Sequence, residues 1–130
     1  MKFLVAYNGS EEAKSALSAA KDFARVFNAK IYVMSSLEGG ASEKPEDISA
    51  AERHLQEAEI YLKDAGVECE VQQMARGLSP GEDIVRFAEE NDIDQLFVGI
   101  EKKSKTSKLL LGSTAQYVIL KAPCPVVSVK

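Results

Sequence analysis

Between Gly99 and Gly112 the chain reads Gly-Ile-Glu-Lys-Lys-Ser-Lys-Thr-Ser-Lys-Leu-Leu-Leu-Gly, and Ser113 and Thr114 follow. Glycines at both ends, a lysine-rich middle and a closing pair of hydroxyls suit the capture of an anion. A helix opening after Gly112 exposes unpaired backbone N–H groups and a partial positive charge. A small residue lets a ligand come close to them, and Ser113 and Thr114 add hydroxyl donors. Lys102, Lys103, Lys105 and Lys108 against Glu101 give the stretch a charge of +3; the whole chain is −4, so the remainder carries −7. A solvated surface loop with its lysines facing water is the alternative that charge alone leaves open.

Other reactive side chains are sparse. Cys69 and Cys124 form no Cys-x-x-Cys pair and His54 is the only histidine, so no metal cluster is expected and the cysteines read as reduced packing residues. His54, among Glu52, Arg53 and Glu57, reads as a surface histidine. Ser10 and Ser113 read as helix caps, no nucleophile stands beside a base, and catalysis is not expected.

At 130 residues, with 45% hydrophobic and 28% charged side chains, residues 1–130 are expected to form one domain with a real core. A pI near 5.1 argues against nucleic acid as partner, because phosphate neutralisation needs a broad basic face. The opening Met-Lys-Phe-Leu-Val-Ala-Tyr-Asn-Gly is too short an apolar run for a signal peptide, and no stretch approaches a membrane span. A cytoplasmic protein without membrane contact is expected.

Strands and helices alternate to position these residues. Phe3 to Tyr7 is an apolar run ending at Asn8-Gly9, as a buried parallel strand does. Ser10 caps a helix whose Ala13, Ala16, Leu17, Ala20, Phe23, Ala24 and Phe27 share one face, with Asn28 at its end. Ile31 to Met34 is a second strand, and Glu38 to Lys44 has the composition of a mobile loop. A helix from Pro45 carries Ile48, Ala51, Leu55, Ala58 and Leu62 and stops at Gly66. Val67 to Val71 alternates like an edge strand. Arg76-Gly77-Leu78-Ser79-Pro80 turns into a third helix, with Ser79 as cap, Pro80 in the first position, and Ile84, Val85 and Ala88 buried. Ile93 to Gly99 is the fourth strand, Ser113 starts a fourth helix with Ala115, Val118 and Ile119, and Val126 to Val129 is the fifth strand. Such alternation implies right-handed crossovers and a parallel sheet covered on both faces. Ligands of these sheets collect at the carboxyl ends of strands where strand order reverses, and Asn8, Ser35 and Gly99 lie at such ends.

Taken in order, Tyr7-Asn8-Gly9-Ser10 before an alanine-rich helix, the Gly77-x-x-Pro80 turn, Val98-Gly99, Gly112-Ser113 and the closing Ala122-Pro123-Cys124-Pro125-Val126-Val127 resemble the universal stress protein family over essentially the whole chain. The resemblance implies an open doubly wound five-stranded α/β sheet in order 3-2-1-4-5, of the adenine-nucleotide α-hydrolase-like kind, and a homodimer. In one subgroup it also implies ATP, held by a signature of Gly, two residues, Gly, nine residues, Gly and Ser or Thr. Gly99, Gly112 and Ser113 match that signature; Lys102 replaces its middle glycine, and Asn8 stands where ATP-binding members have Asp.

On this likeness ATP, with magnesium, is expected with its adenosine near Tyr7, Asn8 and Ser35 and its phosphates along Gly99, Lys102, Gly112, Ser113 and Thr114. Lys102 is either an intruder at a glycine position, straining the backbone, or an ammonium that meets a phosphate. The terminal β-branched strand, open at a sheet edge, is expected to pair in the homodimer. The competing reading is a family member without nucleotide that acts only through contacts with an unknown protein partner. A phosphorelay receiver is disfavoured by Tyr7-Asn8 after the first strand, and a flavodoxin by the carboxylates Glu11 and Glu12 where its phosphate loop belongs.

Overall fold

The computed structural model describes residues 1–37, 44–101 and 111–130. Among these described residues nine elements follow one another: β1 (Lys2–Ala6), α1 (Glu11–Phe27), β2 (Lys30–Ser36), α2 (Pro45–Asp64), β3 (Cys69–Met74), α3 (Pro80–Glu90), β4 (Gln95–Gly99), α4 (Ser113–Lys121) and β5 (Val126–Val129). The strands form one sheet in the order β3-β2-β1-β4-β5, every neighbouring pair parallel. The expected strand order, parallel sense and helix count all hold.

Strand pleating divides the core in two. Phe3 and Val5 of β1 and Tyr7 just after it, with Ile31, Val33 and Phe97, pack under the alanines of α1 and under Leu55 and Leu62 of α2. Leu4, Met34, Leu96 and Val98 face the other way, onto Ile84, Val85 and Phe87 of α3 and Val118 of α4. A sheet buried on both faces needs apolar residues at successive positions, which is why β1 and β4 read as unbroken apolar runs. Order reverses at β1, whose chain leads to β2 on one side while β4 returns on the other, and a crevice opens there at the carboxyl ends.

Several local expectations are corrected. β3 spans Cys69–Met74 rather than Val67 to Val71; the Val67 N–H instead bonds the Leu62 carbonyl at 3.0 Å, closing the end of α2 after Gly66 at φ +74°. β4 begins at Gln95 because the Ile93 N–H is tied to the Ala88 carbonyl. Phe23, Phe27, Ile48 and Ile119, expected inside, are exposed, since each apolar stripe is wider than the strip of sheet its helix covers. Phe23 still meets Phe97 edge-on, with ring centroids 5.6 Å apart. The loop expected from Glu38 to Lys44 falls mostly outside the described residues, as do Lys102, Lys103, Lys105 and Lys108. Among the described residues no helix is long and apolar enough to cross a membrane.

Candidate functional site

At the carboxyl ends of β1, β2 and β4, beneath the N-termini of α1, α3 and α4, lies a cleft of about 330 Å³. Tyr7, Asn8, Ser35, Gly99, Gly112, Ser113 and Thr114, all singled out from the sequence, line it. Lys102 lies outside the described residues.

The turn from β1 into α1 is locked by its own side chains. The Asn8 Oδ1 accepts the Ser10 N–H at 3.0 Å and the Ser10 hydroxyl at 2.6 Å. Ser10 Oγ in turn accepts the Ala13 N–H at 3.2 Å, the helix cap expected of it. A backbone N–H can point only at the amide oxygen, so the Asn8 side chain is oriented with an NH2 group that bonds none of the described residues. Gly9 suits this turn by conformation, and any Cβ there would displace a neighbour. Its φ is +80°, and a Cβ there would come within 2.6 Å of the His54 ring. His54 is therefore not the surface residue expected: it is half-buried over this turn, 3.9 Å from the Glu57 carboxylate. Its Nδ1 is buried with no hydrogen bond among the described residues. Nearby Tyr7 is buried, and desolvation, then the charges of Glu57 and Glu11, raise its phenol above the usual pKa.

The end of β2 presents two serines to opposite faces of the sheet. Ser35 continues the Ile31 and Val33 face and is buried; Ser36 faces α3, where its hydroxyl donates to Asp83 Oδ2 at 2.7 Å. Asp83 is wholly buried. Its other oxygen takes Arg76 Nε at 2.7 Å and Nη2 at 2.6 Å. Arg76 Nη1 reaches Glu90 at 2.7 Å. Hydrogen bonds to Glu90 and Asp83 outweigh desolvation and raise the guanidinium pKa further above its usual value. A buried carboxylate needs such partners, because an unpaired one costs several kcal/mol.

The two signature glycines differ in kind. A Cβ on Gly99 would collide with the Glu12 carbonyl and lie 2.8 Å from the Ala13 nitrogen. This glycine therefore lets α1 approach the sheet as well as lining the cleft. Gly112, at φ −64°, is the N-cap of α4, and a Cβ there would meet none of the described residues within 4 Å. Ser113 is the first helical residue rather than the expected cap, and among the described residues no side chain caps α4. Ser79 is the N-cap of α3 as expected, but its hydroxyl bonds Glu82 Oε1 at 2.9 Å instead of a backbone N–H.

Met34, Pro80, Ile84, Val98 and Ala115 add an apolar wall, and Glu12 and Glu101 bring carboxylates to the cleft. Reading for motifs missed Ser36, Glu12, Pro80 and Ile84 as lining residues. For Ser36 a signal existed, because the period of two along Tyr32, Met34 and Ser36 sets it on the face opposite Ser35.

Comparison with known proteins places the chain among similar ones over its full length. The model of the family described as universal stress protein matches residues 1–130. A universal stress protein of Archaeoglobus fulgidus is 40% identical, with 100% of this chain and 98% of that one covered and a TM-score of 0.93. A structure of the universal stress protein from the same organism in complex with dAMP is 36% identical, with 100% and 98% covered and a TM-score of 0.85. A universal stress protein of Thermus aquaticus is 32% identical over 133 residues, covering 98% of this chain and 96% of its own length.

Proposed function

The chain belongs to the universal stress protein family, and from that premise we propose that its cleft binds an adenine nucleotide. The adenosine lies between the ends of β1 and β2 near Tyr7, Asn8, Ser35 and Ser36. The phosphates lie along Gly99, Gly112, Ser113 and Thr114, with Lys102 in the adjoining stretch. One observation carries the reading. Residues drawn from four separate segments converge on a single cleft at the strand reversal, and a relative 36% identical over its whole length is a complex with dAMP. An apolar wall for a base and, for a phosphate, a helix start that no described side chain caps are the two halves such a ligand needs.

ATP with magnesium is the fuller form of this reading. Residues 1–130 then act as one cytoplasmic domain that senses a nucleotide rather than turning it over. The dimer proposed is a two-fold one through β5, the last strand in the sheet order. β5 itself, Val126-Val127-Ser128-Val129, is uncharged and rich in β-branched residues. Calorimetry with AMP, dAMP and ATP plus magnesium tests the ligand: saturable heat and a raised Tm are expected. Their absence at millimolar nucleotide leaves the reading through protein contacts alone. Sedimentation tests the dimer, with Val127→Pro expected to give monomer.

A further inference from the structure

We propose that Ser36, held by the buried Asp83, makes the cleft select a purine that carries a 6-amino group and reject a 6-oxo purine. The inference rests on the adenine-nucleotide reading above, which sets the base at the end of β2. The Ser36 hydroxyl lies 2.7 Å from Asp83 Oδ2, and a carboxylate offers only lone pairs, so the hydroxyl proton points inward. A serine has one such proton. What Ser36 can still offer the cleft that it lines is an acceptor.

The polarity cannot be reversed cheaply. Asp83 is wholly buried, and its other oxygen is already taken by the Arg76 guanidinium. Turning the serine proton toward a ligand strips a donor from a buried carboxylate, which costs more than one new hydrogen bond returns. Adenine meets this acceptor with an exocyclic N–H. Hypoxanthine and guanine place a carbonyl oxygen at the same ring position and set lone pair against lone pair. Asn8, on the other strand end, is committed in the opposite sense, with its oxygen used and its NH2 unbonded among the described residues. The two strand ends therefore present one acceptor and one donor, both fixed before any ligand arrives.

Parallel calorimetric titrations of AMP and IMP into the full chain test this. Wild type should bind AMP at least about tenfold more tightly than IMP. Ser36→Ala should bring the two within about twofold, and Ser36→Thr, which keeps the hydroxyl, should retain the preference. Asp83→Asn should lower the ratio as well, since its amide can donate to Ser36 and release the hydroxyl proton; a purely structural defect lowers both affinities and leaves their ratio. Equal binding of AMP and IMP by wild type, or an undiminished preference in Ser36→Ala, overturns the proposal and leaves nucleotide binding standing. Binding of neither nucleotide overturns both.

Discussion

Along the strand side of the cleft each residue is held from behind. Gly99 backs onto the Glu12 carbonyl, the Asn8 oxygen is taken by Ser10, and Ser36 is tied to Asp83. Along the helix side no described residue stands within 4 Å of where a Gly112 Cβ would sit, and among the described residues no side chain caps α4. On the first side the identity of a residue is explained by the protein's own packing. On the second it is explained by whatever enters the cleft. Mutations should therefore separate folding from binding according to the side on which they fall.

The sharpest division is expected between the two glycines. Gly99→Val should cost about 3 kcal/mol or more of stability, because backbone of α1 must move to admit the side chain; urea unfolding measures it. Arg76→Met comes next. It leaves the buried Asp83 charge without its main partner, with an expected loss of about 2–3 kcal/mol after allowing for the partial exposure of the arginine. Gly112→Val should leave urea stability within about 0.5 kcal/mol of wild type, while weakening AMP by at least about tenfold in calorimetry. A large loss of stability in that variant would erase the distinction between the two sides. Smallest is Ser10→Ala, which removes the α1 cap and one donor to Asn8 and should cost about 1 kcal/mol.

How far these features could be read from residues alone depends on the range of the interaction behind them. The Ser10 cap, the stripe of Ala13, Ala16, Leu17 and Ala20, and the strand order follow from periodicity and local chemistry. Gly99 was legible as a cleft residue but not as a packing residue, because its constraint is a helix backbone more than eighty positions earlier in the chain. His54 looked solvated among its charged neighbours; the ring is covered by Gly9, a contact that only the packing of α2 beside the first turn creates. The Asp83 network left a trace: an acidic residue within the apolar face of Ile84, Phe87 and Ala88 is costly unless paired. Arg76, seven residues earlier, was its partner. Ser113 was misassigned by one position, a displacement within the usual scatter of helix ends.

The place of β1 in the sheet has a consequence for how the molecule is made. Of the five strands of this sheet, the first to be synthesised lies in the middle, paired with β2 on one edge and with β4 on the other. Its second edge has no partner until Gln95–Gly99 has been synthesised. For much of translation the nascent β1α1β2α2β3 half carries an open apolar edge at Phe3, Leu4 and Val5, all three fully buried in the finished fold. Residues that end as the interior of the protein are thus the ones longest exposed to chaperones and to other nascent chains.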